Sequence, residues 1–318
     1  MPTLSVIVPA TDRPDSLDAC LAAVAAARDV PSDLIVVDDD AATSPAVARN
    51  LGATRAEGDV LVFVDADVRV RPDAFERIAA AFAADPELDA LFGSYDDDPP
   101  GRDPVSGFRN LLHHHIHQQA AGEASTFWAG LGAIRRTTFE RLGGFVEHPV
   151  EDIELGMRLH AAGGRIRLDP DVQGTHLKRW SLAAMIRTDL LVRGAPWVGL
   201  LLRHRSTAGG LNLGWRHRLS ALASLALVTA AGLAAAAEVV ALALAVGAVA
   251  TLALLNFSFY RLLARRRGLR QAALGMLLHV VHHLVSVTAL VLGLALFVLA
   301  HRPRPAADVL PPAESAST

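Results

Sequence analysis

The chain has 318 residues, of which 52% are hydrophobic and 20% are charged, and its formal net charge is −3. This apolar content excludes intrinsic disorder over most of the chain, and the acidic balance argues against nucleic acid as the main partner. The charge is unevenly distributed, because residues 1–205 contain 21 basic and 30 acidic side chains and residues 206–318 contain 9 and 3.

The first predicted elements alternate between strands and helices. Continuous apolar runs predict buried strands at 4–9, 34–37 and 60–64. Apolar residues at helical spacing predict helices near 14–28 and 46–57 and from Pro72 onward, with the single cysteine, Cys20, in the core. This alternation is typical of a parallel sheet covered by helices on both faces, so we predict an α/β domain.

Acidic side chains follow two of these strands. Asp38, Asp39 and Asp40 end the second, and Asp65 and Asp67 follow the third. Residues two apart on an extended chain point the same way, so Asp65 and Asp67 can converge on Mg²⁺ or Mn²⁺ and through it on a diphosphate. The alternative is ordinary turn chemistry at strand ends.

A further acidic pair, Glu151 and Asp152, opens a predicted helix after a glycine-rich turn at 143–145. A carboxylate at a helix N-terminus is stabilised as the anion, so Asp152 is the candidate general base. Glu154 is the competing candidate. Alternatively, these acids only favour the helix dipole.

Several short motifs occur in a fixed order along residues 3–205. They are Ser-Val-Ile-Val-Pro at 5–9, Val-Asp-Asp at 37–39, Ala-Arg-Asn-x-Gly at 48–52, Gly-Asp at 58–59, Phe-Val-Asp-Ala-Asp at 63–67, Gly-Gly-Phe at 143–145, Glu-Asp at 151–152 and His-x-x-Arg-Trp at 176–180. This set resembles the family 2 glycosyltransferases. The resemblance implies an inverting, metal-dependent enzyme with a mostly parallel nucleotide-diphospho-sugar transferase (GT-A) sheet and C-terminal transmembrane helices.

The resemblance also implies roles for individual residues. The catalytic pair would be Asp152, as base, with Glu151. The metal would be held by Asp65 and Asp67. The residues that would contact the donor are Pro9, Asp38, Asp39, Arg49, Asp65, Arg179 and Trp180. His176 stands where the family has Gln or Arg, and it either completes the metal shell or contacts phosphate, or has only a structural role. The short segment between Asp40 and Arg49 predicts a sheet trimmed at one edge.

Two histidine clusters have several readings. His113 and His117 are one helical turn apart, and this cluster could bind a metal, line an acceptor groove beside Phe127 and Trp128, or do neither. His279, His282 and His283 begin a predicted membrane span, where they either contact the acceptor or pack at the interface.

The C-terminal third is dominated by apolar runs. Residues 181–217 predict amphipathic helices on the membrane surface, the alternative being ordinary surface helices. Apolar segments at 219–237, 239–257 and 274–300 predict three membrane spans, the alternative being a buried helical hairpin. Arginines at 203–218 and 261–270 flank the spans on one side, which places the catalytic domain in the cytoplasm.

These observations divide the chain into a catalytic domain at 1–180, interfacial helices at 181–217, membrane helices at 218–300 and a disordered tail at 301–318. The predicted function is transfer of a single sugar from a nucleotide diphosphate donor to a lipid-linked acceptor at the cytoplasmic membrane face. The acceptor group is either a polyprenyl phosphate or a glycolipid hydroxyl. The rival functions are a catalytically silent membrane scaffold and a processive polysaccharide synthase.

Overall fold

The computed structural model describes residues 1–11, 14–27, 33–204 and 214–300. The strands are β1 (Leu4–Pro9), β2 (Asp33–Val37), β3 (Val60–Val64), β4 (Val68–Val70), β5 (Leu88–Tyr95), β6 (Gly122–Ala124), β7 (Leu131–Arg135) and β8 (Arg165–His176). The helices between them are α1 (Leu17–Ala26), α2 (Pro45–Arg55), α3 (Ala74–Ala84), α4 (Pro104–Gln119), α5 (Arg136–Leu142) and α6 (Glu151–Ala161). The predicted strands and helices of the first 82 residues are therefore present, with ends shifted by a few residues.

The strands form one mixed sheet in the order β2-β1-β3-β7-β5-β8-β4, and β6 pairs with β8. The three predicted strands lie side by side in parallel, with Ile7 opposite both Ile35 and Phe63. The later strands add antiparallel pairs on β7 and β8. Among the described strands the sheet is therefore mixed and not mostly parallel as predicted, with three parallel and four antiparallel pairs. Within the described residues β2 pairs only with β1, in agreement with the sheet edge predicted to be short.

The main core lies between this sheet and its helices. The side chains of β3 are fully buried, and Cys20 of α1 packs with them at 0% exposure, as predicted. Burial raises the pKa of the Cys20 thiol to about 12, so it stays protonated at neutral pH. Because β1 and β3 are buried in this core, the edge of the sheet at which these parallel strands end is held in place.

Helix α6 packs closely against the loop before β7. A Cβ atom on Gly156 would lie 2.1 Å from the backbone nitrogen of Phe127, a contact that neither backbone can relieve cheaply. We expect Gly156→Ala to lower the free energy of unfolding by about 2 kcal/mol. Gly199→Ala is the matched control, because no atom lies within 4 Å of its added Cβ. Thermal unfolding of both variants checks this, and an equal response of the two would contradict the close packing.

The chain continues as a series of helices: α7 (Leu182–Arg187), a π-helical segment (Thr188–Gly194), α8 (Ala195–Arg203), α9 (Trp215–Leu233), α10 (Glu238–Leu255), α11 (Phe257–Arg267) and α12 (Leu269–Ala300). Helix α11 was not predicted, because its arginine-rich sequence was interpreted as the connection between two spans. It forms because Phe259, Tyr260 and Leu263 share a face that is buried against Phe108 of α4. The predicted tail at 301–318 lies outside the described residues.

Two of these helices, α10 and α12, are long and apolar enough to cross a membrane, with mean hydropathies of 2.3 and 2.4. Only 17% and 22% of their most apolar windows are buried, so large side chains such as Leu254 and Leu277 face outward. Helix α9 pairs with α10 through a hydrogen bond from Asn256 to Ser220. Its assignment as a third span remains a prediction.

Candidate active site

The carboxyl ends of the parallel strands bring several predicted residues to one edge of the sheet. Pro9 ends β1, and Asp65 directly follows β3. The Asp65 backbone N–H donates to the carbonyl of Gly130 at 3.1 Å, which fixes the strand end against the loop before β7. Pro9 and Asp65 both line a large cavity at this edge.

Asp67 lies beside His176 because β4 and β8 pair antiparallel, with Val68 opposite His176. The Asp67 Oδ2 atom is 3.4 Å from His176 Nε2, and His176 Nδ1 is 2.7 Å from the Asn110 side-chain oxygen. The His176 ring also stacks on Tyr95 at 4.2 Å between centroids. Burial raises the pKa of Asp67, but the hydrogen bond and charge of His176 and the nearby Lys178 hold it below its usual value.

Arg49 of α2 is a buried cation between two acids. Its guanidinium donates to Asp65 Oδ1 at 2.6 Å and to Glu151 Oε1 at 2.5 Å. Burial lowers the pKa of Arg49, but the charges of Asp65 and Glu151 outweigh it and raise that pKa above its usual value. Arg49 therefore links the residue that follows β3 to helix α6, which bears Asp152, and the Glu151 carboxylate is engaged in this ion pair.

Removing the Arg49 charge should destabilise the fold. We expect Arg49→Met to lower the free energy of unfolding by about 3 kcal/mol, because Asp65 and Glu151 would lose their buried counterion. Arg55→Met is the matched control, since Arg55 and its partner Asp39 are both nearly half exposed, and it should cost less than about 1 kcal/mol. Thermal unfolding compares the two, and a smaller loss for Arg49→Met than for Arg55→Met would refute this reading.

Asp152 lies in the first turn of α6 and lines the large cavity. Its Oδ2 atom accepts a hydrogen bond from the backbone N–H of Ala129 at 3.3 Å. The competing base, Glu154, is buried and receives hydrogen bonds from Arg158 at 2.7, 2.8 and 2.9 Å. Within the described residues Glu151 and Glu154 each form an ion pair with an arginine, whereas Asp152 does not. This geometry favours Asp152 as the base.

The cavity has a volume of about 1040 Å³ and extends from the sheet edge to the C-terminal helices. Its catalytic-domain wall contains Pro9, Asp65, Asp67, Trp128 and Asp152. Its opposite wall is built from apolar side chains of α8 and α12, including Trp197, Val198, Leu201, Leu290 and Leu294. One space therefore joins the acidic site to the apolar helices.

The acidic residues fit a Mg²⁺ or Mn²⁺ ion that also binds a substrate. Asp65, Asp67 and His176 line a smaller cavity of about 90 Å³, and the two carboxylates are 32% and 25% exposed. Carboxylate oxygens are ligands that both ions accept. No three His, Cys, Asp or Glu side chains form a complete metal site within the described residues.

The other residues predicted to contact the donor differ in whether they line the two cavities. Asp39 follows β2 and pairs with Arg55 at 3.0 Å, and neither Asp38 nor Asp39 is among the residues that line the two described cavities. Trp180 lines both cavities and is buried, whereas Arg179 is exposed and lies outside both walls. The donor roles of Asp38, Asp39 and Arg179 remain predictions.

The histidines of α4 face different surroundings. His113 and His117 line the large cavity and pack against the Trp128 ring at 4.8 and 5.3 Å. Burial lowers the pKa of His117 to about 4 and that of His113 well below its usual value, so both rings are neutral. His115 instead contacts Phe259 of α11. Because His113 and His117 line the cavity beside Trp128, their position favours a role in the acceptor groove over binding of a metal.

The second histidine cluster lies where α12 meets the catalytic domain. His279 is buried, and its Nδ1 atom lies 3.0 Å from the Tyr260 hydroxyl. His282 lines the large cavity, and its Nδ1 atom lies 3.2 Å from Asp189 Oδ2. His283 stacks on His279 at 4.4 Å. His282 therefore reaches the cavity, whereas His279 is buried against Tyr260 and His283, and the two predicted roles of the cluster, acceptor contact and packing at the membrane interface, stay predictions.

Five charged residues of the cavity wall are not among the predicted site residues: Arg109, Lys178, Asp189, Arg193 and Arg218. Arg109 and Asp189 form an ion pair at 2.8 Å with side chains only 12% and 9% exposed. One signal was available, because Arg109 interrupts a helix whose neighbours Phe108 and Leu111 are apolar. Its partner, 80 residues later, could not be read from the sequence.

Comparisons with known proteins add a family. The model of "Glycosyl transferase family group 2" matches residues 60–301, and that of "Glycosyltransferase like family 2" matches residues 6–86. Among curated proteins, validoxylamine A glucosyltransferase of Streptomyces hygroscopicus subsp. limoneus is 27% identical over 223 residues, which cover 51% of this chain and 49% of the relative. Pre-mycofactocin glycosyltransferase of Mycobacterium tuberculosis is 27% identical over 198 residues, covering 58% and 42%. The chain thus spans less than half the length of these relatives.

A similar solved structure is the mannosyltransferase PcManGT from Pyrobaculum calidifontis in complex with GDP-Man and Mn²⁺. It is 22% identical, has a TM-score of 0.57, and the match covers 87% of both chains. The likeness confirms the predicted GT-A-like α/β fold with a C-terminal helical region.

Proposed function

Because the chain belongs to glycosyltransferase family 2, we propose that it transfers one sugar from a nucleotide diphosphate donor to a lipid-linked acceptor at a membrane surface. The observation that carries this proposal is the shared cavity. Asp65, Asp67 and Asp152 line one end of it, and Leu290 and Leu294 of α12 line the other. Leu290 and Leu294 are 49% and 41% exposed, so this end reaches the outer surface of the apolar helix.

Membrane attachment is supported by the exposed apolar faces of α10 and α12, which a bilayer would cover. The basic residues of α11 lie on the same side as the catalytic domain. Arg266 pairs with Asp97, and Arg267 donates to the carbonyl of Pro99. With the positive-inside rule, this arrangement supports a cytoplasmic catalytic domain. Helices α7 and α8 would then lie at the membrane surface.

The residues support transfer to a hydroxyl group. Asp152 accepts the hydroxyl proton while the acceptor oxygen attacks the anomeric carbon, and the bond from that carbon to the donor phosphate breaks. The products are a glycoside, a nucleoside diphosphate and protonated Asp152. Attack opposite the leaving group inverts the anomeric configuration. A hydroxyl is favoured over a phosphate acceptor, since a phosphate is already anionic and needs no base.

Asp65 and Asp67, with His176 beside them, would hold Mg²⁺ or Mn²⁺, whose charge stabilises the departing diphosphate. The Mn²⁺ and GDP-Man bound by PcManGT support a metal and a nucleotide sugar here. The donor could carry uridine or guanosine. Trp128, which lines the cavity, offers an aromatic face for a sugar ring.

A screen of nucleotide sugars tests the function. Radiolabelled UDP- and GDP-sugars are incubated with the full-length protein in membranes, total lipid extract and Mn²⁺. We expect one donor to deliver label to the organic phase and the Asp152→Asn variant to deliver none. Incorporation into polymer would instead support a polysaccharide synthase, and lack of transfer from every donor would support a silent scaffold.

A further inference from the structure

Three cations from three different elements line the small cavity that contains Asp65 and Asp67. They are Arg109 of α4, Lys178 after β8 and Arg193 of the π-helical segment, and all three also line the large cavity. The carboxylate of Asp65 is already paired with Arg49. Arg109 is likewise paired with Asp189. Two cations, Lys178 and Arg193, therefore face one remaining carboxylate, that of Asp67, in the small cavity, which suits an anionic ligand.

Arg109 is held in place on two sides. Its guanidinium pairs with Asp189 at 2.8 Å and lies over the Trp180 ring at 5.6 Å. Asp189 is itself fixed by His282 of α12 at 3.2 Å. The Arg109 Nε atom is buried and has no hydrogen-bond partner within the described residues. A buried donor without a partner is costly, so a bound acceptor oxygen would satisfy it.

Lys178 and Arg193 are available to a ligand. The Lys178 ammonium lies over the Trp180 ring at 4.8 Å. Neither Lys178 nor Arg193 forms an ion pair with any side chain in the part of the chain that the structure describes. Arg179, the arginine of the motif at 176–180, is exposed and lies outside both cavities.

We infer that Arg109, Lys178 and Arg193 bind the diphosphate of the donor and stabilise it as it leaves, and that Arg179 does not. Asp189 is a positioning residue, because it holds Arg109 in the cavity wall and is anchored by a helix of the apolar region. This inference rests on the proposed function, since it assumes a nucleotide diphosphate donor. It assigns the cationic part of the site to Arg109, Lys178 and Arg193, and not to Arg179, the arginine of the motif at 176–180.

Binding of UDP and GDP, each with Mn²⁺, to the full-length protein in detergent tests the assignment. We expect Arg193→Gln and Lys178→Gln each to weaken binding of the preferred nucleotide about tenfold, because each removes a charged contact to a phosphate oxygen. Arg179→Gln should change it less than twofold. Arg187→Gln is the matched control, because Arg187 is exposed and lines neither cavity, and it should leave binding unchanged. The opposite pattern, with Arg179→Gln weakening binding tenfold and Arg193→Gln and Lys178→Gln leaving it unchanged, would overturn the inference. Binding of neither nucleotide by the unmodified protein would refute the proposed function itself, and this inference with it.

Comparison of nucleoside diphosphates with monophosphates tests the positioning role of Asp189. We expect Asp189→Asn to weaken UDP or GDP binding about tenfold and to leave UMP or GMP binding unchanged, and we expect Asp189→Glu to restore part of the loss. Equal weakening for monophosphates and diphosphates would mean a general structural defect and would contradict positioning. Arg109→Lys, which retains the charge in the buried site, should bind more tightly than Arg109→Gln. Equal nucleotide binding by these two variants would show that Arg109 does not bind the diphosphate.

Discussion

Replacing Asp67 with alanine is expected to reduce sugar transfer about a thousandfold, because a divalent ion supplies several kcal/mol of charge stabilisation to a leaving diphosphate. Asp67 lies beside His176 on the small cavity, and its loss removes one of the two carboxylates that could hold the ion. Transfer of radiolabelled sugar to extracted lipid measures the effect.

Two controls separate metal binding from folding. Chelation of the unmodified protein with EDTA should abolish transfer, and added Mn²⁺ or Mg²⁺ should restore it, whereas the Asp67→Ala variant should stay inactive at every metal concentration. Asp98→Ala removes an acid that is 73% exposed and pairs loosely with Arg102, so its activity should be unchanged. Full activity after chelation, or in folded Asp67→Ala, would exclude a metal held at this position.

The second large effect is expected for Asp152→Asn, which should lower kcat about a thousandfold and leave the KM for the donor nearly unchanged. Asparagine retains an oxygen that can accept the hydrogen bond from Ala129, but it cannot take a proton from a hydroxyl group. The loss should therefore affect the chemical step alone. Steady-state kinetics with a purified acceptor lipid measure kcat and KM separately.

Glu154→Gln is the informative control for the base. Glu154 is tied to Arg158, so this change should reduce thermal stability and retain most of kcat. An inactive but folded Glu154→Gln variant, together with an active Asp152→Asn variant, would transfer the role of base from Asp152 to Glu154.

The sequence could predict the parts of the site that lie at strand ends. Asp65 follows β3 because an apolar strand must end where the chain meets solvent, and parallel strands end at one edge of the sheet. The fold class followed from the same alternation of strands and helices. The C-terminal helices α9, α10 and α12 followed from long apolar runs.

The rest of the site depends on contacts between distant segments. Asp67 meets His176 only because β4 pairs with β8, and Arg109 meets Asp189 only because α4 packs beside the π-helical segment. No local pattern specifies either contact. The motif at 176–180 predicts donor contacts for both Arg179 and Trp180. In the structure Trp180 is buried and lines both cavities, whereas Arg179 is exposed and lines neither. Side-chain direction at the end of a strand is set by the tertiary structure around it.

We propose that one cavity unites a nucleotide-sugar site with an acceptor that enters from the membrane. The most direct test is the structure of the lipid product formed from a radiolabelled donor of known anomeric configuration, determined by mass spectrometry and NMR. We expect one sugar per lipid molecule, joined through a hydroxyl oxygen with the anomeric configuration opposite to that of the donor. A polymer, a retained configuration, or label found only in free sugar would contradict it.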